Sequence, residues 1–341
     1  MRAIFTIAAF ALAALGAPAA AQDRARHVVL VTIDGYRWQE LFRGADPSLV
    51  ADPRYRARYV DVPDRAAALT PFLLSFARDG VLIGNRDQGS CARVSNDYWF
   101  SYPGYAEILE GRPNPSIRRN YAGPNPEITV LERIARRREF ANQVRVYAEW
   151  AVARDIVNAA RSGIPVFVPE DADAPHDPQV MARAREIFTD LPRVTWLALG
   201  DTDNRAHEGS YEAYLAAATE ADNFIRALWE AIQSNPRTAG VTTMIVTTDH
   251  GRGPSERGGW RGHGSGRWRG LVVPGLRREG SDAVFIAAMG PGIVATSAYD
   301  AEHCATTSQV AATLLGSLGL LDEEGEPEMA PPLAFFGAGP R

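Results

Sequence analysis

Val28-Val-Leu-Val-Thr-Ile-Asp-Gly-Tyr-Arg-Trp38 is the stretch that decides the fold. An unbroken apolar and β-branched run stops at Ile33, and Asp34-Gly35 follows at once. A short run without polar alternation is what a strand buried on both faces of a parallel sheet requires. A carboxylate at the carboxyl end of such a strand stands on the edge where open α/β sheets place their ligands. Two later runs repeat the pattern. Arg193 to Gly200 delivers Asp201, Asp203 and His207, and Gly240 to Thr248 delivers Asp249-His250-Gly251, with His263 shortly beyond.

Working outward, Val81-Leu-Ile83, Gln143 to Trp150 and Ala283 to Met289 read as further strands. Ala66 to Ala77, Thr129 to Glu139, Gln179 to Phe188, Tyr211 to Ile232 and Thr306 to Leu320 read as helices. Ile164 to Asp177 and Arg252 to Gly270 read as loops, with His176 a surface histidine. Tyr214 and Trp229 fall at packing positions of an amphipathic helix. Strands separated by helices predict an α/β fold with a mostly parallel central sheet flanked by helices on both faces. No repeat and no clean linker divides the chain, so residues 22–341 are read as one domain.

The length of 341 residues and a hydrophobic fraction of 46% suit a large core and exclude a disordered chain. The formal net charge of -5 gives no support for binding a nucleic-acid polymer. There is no lysine, so all 36 basic residues are arginine, a feature of composition and not by itself of function. Residues 1–21 have the make-up of a secretory signal: Arg2, an apolar run from Ile4 to Leu15, and small residues from Ala17 to Ala21. The mature chain is expected to be exported, periplasmic or secreted, with no membrane span. Cys91 and Cys304 are the only cysteines. Export permits a bridge between them, and sequence leaves bridge and free thiols equally open.

Arg86 to Gly104 lacks periodicity and ends in Ser101-Tyr-Pro-Gly104, ahead of a short helical segment closed by Gly111. Ser101 has two readings, an N-cap or a nucleophile at a helix N-terminus, where free N–H groups favour an oxyanion or phosphate. Asp and His supply oxygen and nitrogen ligands suited to zinc and other divalent metals. Asp203 and His207 are spaced for one face of a helical turn. Asp249 and His250 can both turn inward only past a strand end, and Gly262 and Gly264 let the backbone carry His263 close to a site.

Together Val31-Thr-Ile-Asp-Gly35, Phe100-Ser-Tyr-Pro-Gly-Tyr105 with Gly111, Asp203-Asn-Arg-Ala-His207, Thr248-Asp-His-Gly251 and Gly262-His-Gly264 resemble the alkaline phosphatase superfamily, most closely its nucleotide pyrophosphatase/phosphodiesterase-like branch. The resemblance spans most of the mature chain and implies a phosphoric ester hydrolase with two divalent metal ions, zinc first among them. It implies that Asp34, Asp249 and His250, with the Ser101 oxygen, hold one metal, and that Asp203, His207 and His263 hold the other; Asp201 is the alternative to Asp203. Ser101 would be the nucleophile, forming a covalent phosphoseryl intermediate on a small-molecule phosphate ester. A phosphotransferase or mutase and an inactive metal-binding relative are the rival readings. The chain departs from the branch at Gly104 and Tyr105, where Asn and His are typical, so a donor to the phosphoryl oxygen is missing; Asn96 and Arg93 are the candidates to replace it. Neither Ser101 nor Cys91 is followed by the x-Pro-x-Arg of formylglycine sulfatases, which disfavours that chemistry. Tyr98, Trp99, Tyr102 and Tyr105 could stack on an aromatic substituent or equally belong to the core.

Overall fold

The computed structural model describes residues 24–121, 123–170, 176–294, 299–300, 302–321 and 328–334, so the expected signal at 1–21 lies outside the described residues. The strands are β1 (His27–Ile33), β2 (Val81–Ile83), β3 (Ala92–Arg93), β4 (Val144–Ala148), β5 (Val166–Phe167), β6 (Val194–Leu199), β7 (Thr242–Thr247), β8 (Ser265–Trp268), β9 (Leu271–Arg277), β10 (Ile286–Met289) and β11 (Ala305–Thr306). Seven of them form one sheet in the order β2-β10-β7-β1-β6-β4-β5. β1 pairs in parallel with both β6 and β7, and β4 with both β6 and β5. β10 alone runs against its neighbours β7 and β2. The three central strands are the three runs that end in acidic and histidine residues, and their side chains are buried apart from His27.

Alternation along these strands sends side chains to two cores. Val28, Leu30, Trp196 and Ile245 join the core on one face, with Tyr105, Ala106 and Leu109 of the Ser101–Glu110 helix and Val310 and Leu314 of the Gln309–Ser317 helix. Val29, Val31, Ile33, Leu197 and Val246 join the other, with Leu73 and Phe76 of the Pro71–Asp79 helix and Tyr214, Leu215 and Leu228 of the Tyr211–Ser234 helix. Trp229 and Tyr214 do pack, as their spacing indicates.

Local chemistry corrects several boundaries. The segment read as one helix from Ala66 is two, Arg65–Leu69 and Pro71–Asp79, because Pro71 removes an N–H and pushes Thr70 out of the helical region, to φ -137 and ψ 65. The second piece is capped at long range: the Asp222 carboxylate accepts from the N–H groups of Phe72 and Leu73. The Pro-rich segment read as loop contains β5, and His176 opens a helix with Nδ1 2.6 Å from Glu149 Oε1, so it is engaged and not a free surface group. The Gly/Arg-rich segment read as loop contains the six-residue 3-10 turn Glu256–Arg261 and β8, which pairs with β9 as a separate hairpin. Its Arg269-Gly270 turn has positive φ at both residues, the geometry two-residue hairpins prefer.

Cys91 and Cys304 are bonded, settling the question the sequence left open. The bridge lies beside β3 and β11, which pair with each other in parallel. It closes a separation of 213 residues, so the chain-entropy argument assigns it on the order of 5 kcal/mol. Cys91→Ser with Cys304→Ser is expected to lower the urea midpoint accordingly; an unchanged midpoint would contradict that assignment.

Glu110 ends the Ser101–Glu110 helix with its carboxyl buried, Oε1 accepting from the amides of Asn114 and Asn125. Burial outweighs both hydrogen bonds and pushes its pKa up to about 7 from 4.5. The folded chain therefore holds this proton where the unfolded chain releases it. The resulting stability is present below pH 4.5 and lost as pH rises to about 7, on the order of 3 kcal/mol in all. Glu110→Gln is expected to flatten that part of the pH dependence in denaturant titrations at pH values on either side of the window; an identical slope in both proteins would refute the assignment.

Candidate active site

The site is assembled at the carboxyl ends of the central strands. Asp34 follows β1 directly, and its N–H donates to the Leu199 carbonyl on the neighbouring strand at 2.8 Å. Gly35, at φ 60, continues the turn and donates its N–H to Asp249 Oδ1 at 3.2 Å. Asp249 and His250 lie beyond the last residue of β7, so the strand's alternation no longer sends them to opposite faces, and both are fully buried. Asp203 and His207 lie on the helix Asp201–Glu208 that opens after β6, and their i, i+4 spacing brings His207 Nε2 to 3.1 Å from Asp203 Oδ2. The backbone N–H of Asp201, with that of Gly200, donates to the Asp177 carboxylate, and it is Asp203, not Asp201, that lies with the site histidines.

Ser101 is the first residue of the Ser101–Glu110 helix and is buried, with Oγ 3.4 Å from His250 Nε2. The same imidazole nitrogen lies 3.3 Å from Asp34 Oδ1 and 3.4 Å from Asp249 Oδ2. His263 Nε2 lies 3.0 Å from His207 Nε2 and 3.7 Å from Asp203 Oδ1. The rings of His250 and His263 stack with centroids 3.8 Å apart. All seven residues expected from the sequence are therefore brought to one place.

Two observations test whether this place suits metal ions. Among the described residues, the buried oxygens Asp34 Oδ1 and Asp249 Oδ2 have no hydrogen-bond donor beyond the nearby His250 Nε2, which is costly unless a cation faces them. His250 Nδ1 meets the Gly251 carbonyl at 2.9 Å and His263 Nδ1 the Trp99 carbonyl at 3.1 Å. A carbonyl accepts, so each Nδ1 carries a proton and each Nε2 faces the cluster, the arrangement that orients metal-ligating histidines. Two groups of donors lie close enough to hold an ion, Asp203 with His207 and His263, and Asp34 with Asp203 and His250. The residues fit divalent metal.

The electrostatics agree. Burial and the neighbouring Asp34 raise the Asp249 carboxyl well above the usual range. Burial would lower the His250 pKa, but Asp249, Asp34 and Asp203 raise it to about 9. Three carboxylates crowded in low dielectric demand positive charge, which protonated His250 supplies to the metal-free chain.

Arg252, two residues after His250, was not singled out from the sequence. It is almost completely buried, donates to the carbonyls of Trp260 and Arg261, and its guanidinium contacts Asp203 Oδ1. Burial opposes ionisation of Asp203, yet Arg252 and the surrounding imidazoles hold its carboxyl well below the usual range. With Oδ1 on Arg252, Oδ2 is left to His207. A Cβ on Gly35 would come within 2.7 Å of both Arg252 and Asp203, so glycine there leaves room for the pair.

Tyr105, which stands where the phosphodiesterase branch has His, donates its hydroxyl to Asp34 Oδ2 at 2.9 Å. Gly104 stands where that branch has Asn because no side chain fits: a Cβ would lie 2.3 Å from the Asp249 carbonyl oxygen. Tyr98, Tyr102 and Tyr105 are buried in the core and do not form a stacking surface. Asn96 does not replace the missing donor, since its amide nitrogen is spent on Glu107 and its oxygen caps the turn at Tyr98 and Trp99.

No family model and no curated protein matches the chain. Solved structures do match. A 2-O GAG sulfatase is 12% identical with TM-score 0.54, covering 87% of this chain and 71% of that one. The C-terminal periplasmic domain of EptC from Escherichia coli, in complex with Zn, is 12% identical with TM-score 0.53, covering 89% and 85%. A protein in the alkaline phosphatase superfamily from Vibrio parahaemolyticus is 11% identical with TM-score 0.51, covering 87% and 67%. The mostly parallel seven-stranded sheet with helices on both faces is the fold of the alkaline phosphatase superfamily.

Proposed function

We propose that this protein is an exported, metal-dependent phosphoric ester hydrolase that uses Ser101 as nucleophile. The observation that carries the reading is the position of Ser101 Oγ beside His250 Nε2, within a nest of carboxylate oxygens that lack donors. Asp34, Asp249 and His250 would hold one divalent ion beside Ser101, and Asp203, His207 and His263 a second. Such ions supply Lewis acidity toward the ester oxygens and favour the ionised hydroxyl. Ser101 Oγ then attacks phosphorus, the bond to the alcohol breaks, and the phosphoryl group rests on Ser101 until water removes it.

The chain's own groups position this chemistry. Tyr105 orients Asp34, Arg252 fixes Asp203, and the Gly251 and Trp99 carbonyls set the tautomers of His250 and His263. Asn120 lines the adjoining cleft and accepts the Tyr102 N–H through Oδ1 at 3.0 Å, so its amide nitrogen is the end left to meet a phosphoryl oxygen. Export is supported by the make-up of residues 1–21 and by the disulfide. Among the described residues no helix is long and apolar enough to cross a membrane. The small-molecule phosphate ester as substrate class rests on the resemblance of the motifs, and zinc is among the divalent ions that Asp and His donors suit.

The experiment is hydrolysis of matched aryl phosphate monoester and diester by zinc-loaded protein, compared as kcat/KM. Release of free phosphate or phosphomonoester supports hydrolysis; transfer to an added alcohol without comparable hydrolysis would replace it with phosphotransfer. Asp249→Asn is expected to lower bound metal from two ions per chain toward one. Two ions retained in that variant would remove Asp249 from the ligand set.

A further inference from the structure

The cleft beside the catalytic cluster is cationic beyond what one ester group uses. It encloses about 320 Å³ and is bounded by His207 and His263, by Phe100 and Asn120 near the nucleophile helix, and by the β8–β9 hairpin. Trp268 and Leu276 form apolar wall, Arg119, Arg267 and Arg278 bring positive charge, and no carboxylate lines it. Acidic residues outnumber basic ones in the chain, 41 to 36, so this is a local excess.

The arginines here are not spent as arginines elsewhere are. Arg43, Arg78 and Arg161 meet the carboxylates of Asp87, Asp79 and Glu132. Arg278 donates to the carbonyls of Gly275 and Arg277. The guanidinium groups of Arg119 and Arg267 have no hydrogen-bond or ion-pair partner among the described residues, and both side chains are exposed on the cleft. The scissile group's charge is met at the cluster by His207, His263 and the ions their donor set suits. Two planar donor forks remain, of the kind that bind phosphate or sulfate bidentately.

Resting on the hydrolase reading above, we propose that Arg119 and Arg267 form a subsite for a second phosphate or sulfate group carried on the substrate's organic portion, with the spacer lying against Phe100 and Trp268. The substrate class is then an ester that carries a second phosphate or sulfate group, doubly anionic in having two anionic groups, and not a simple monoester.

The test measures binding by calorimetry to zinc-loaded Ser101→Ala protein, so that it does not depend on turnover. The probes are butyl phosphate, the bisphosphates of ethanediol, butanediol and hexanediol, and 4-sulfooxybutyl phosphate. At least one doubly anionic probe is expected to bind about tenfold or more tighter than butyl phosphate, and Arg119→Gln with Arg267→Gln to abolish that advantage. An advantage limited to the bisphosphates assigns phosphate to the subsite, and one limited to the sulfate ester assigns sulfate. Equal affinities for butyl phosphate and every doubly anionic probe, or an advantage that survives both substitutions, would overturn the subsite. Absence of hydrolysis by the unsubstituted protein would sink the hydrolase reading alone. Both arginines are exposed, so glutamine at these positions leaves the core untouched.

Discussion

Ser101→Ala is expected to lower kcat by at least about 10,000-fold on any phosphate ester the protein turns over, while leaving bound metal and thermal midpoint nearly unchanged. The side chain is buried at the first turn of its helix, and its Oγ faces His250 Nε2 without holding a backbone N–H. Removing it therefore deletes the reacting atom and no cap. The helix is anchored independently, through Tyr102 N–H on Asn120 and through Glu107, which accepts from Ser95, Asn96, Thr307 and Ser308. Rapid quench with phosphorus-labelled ester should trap a phosphoprotein in the unsubstituted chain and none in the variant. Full activity in the variant would disprove the nucleophile assignment.

Gly104→Ala should damage the site through a single methyl group. The first turn of the nucleophile helix docks on the backbone of Asp249 so closely that a Cβ at 104 would stand 2.3 Å from its carbonyl oxygen and 2.9 Å from its carbonyl carbon. Neither atom belongs to a flexible side chain, so the helix and the turn after β7 must separate. Ser101 sits on one and His250 on the other. A separation on the order of 1 Å is expected to cost about 100-fold in kcat/KM and roughly 2 kcal/mol in stability. The split between the two readouts identifies the cause: loss of activity at a temperature where the variant is fully folded means misalignment. Activity within a few-fold of the parent would show that the backbone yields at no cost, against the packing argument.

What the chain made legible beforehand was chemistry with short-range signals. Unbroken apolar runs marked β1, β6 and β7 because strands buried on both faces tolerate no alternation. Carboxylates and imidazoles at their ends marked the candidate site, and helical spacing paired Asp203 with His207. Arg252 gave no such signal: an arginine in a Gly/Arg-rich segment looks solvent-exposed, and only the closure of that segment over Asp203 buries it. The aromatic residues around Ser101 stayed open between two readings, since their types suit a substrate wall and a core equally, and only packing sent Tyr102 and Tyr105 inward. The β8–β9 hairpin was hidden because glycines and arginines dominate its first strand and because its strands remain solvent-facing, outside the main sheet.

By itself, then, the amino-acid order determined the parallel core and which seven residues gather at one edge of it, Ser101 among them, all of which depend on residue type and local period. The tertiary structure alone decided which carboxylate oxygens lack a donor and which cleft arginines lack a partner among the described residues, that Cys91 reaches Cys304 across 213 residues, and that Gly104 must be glycine. Each of these is a relation between segments far apart in the chain. Such relations are set by how strand ends, helix termini and loops converge on one edge of the sheet, and no local pattern encodes that convergence.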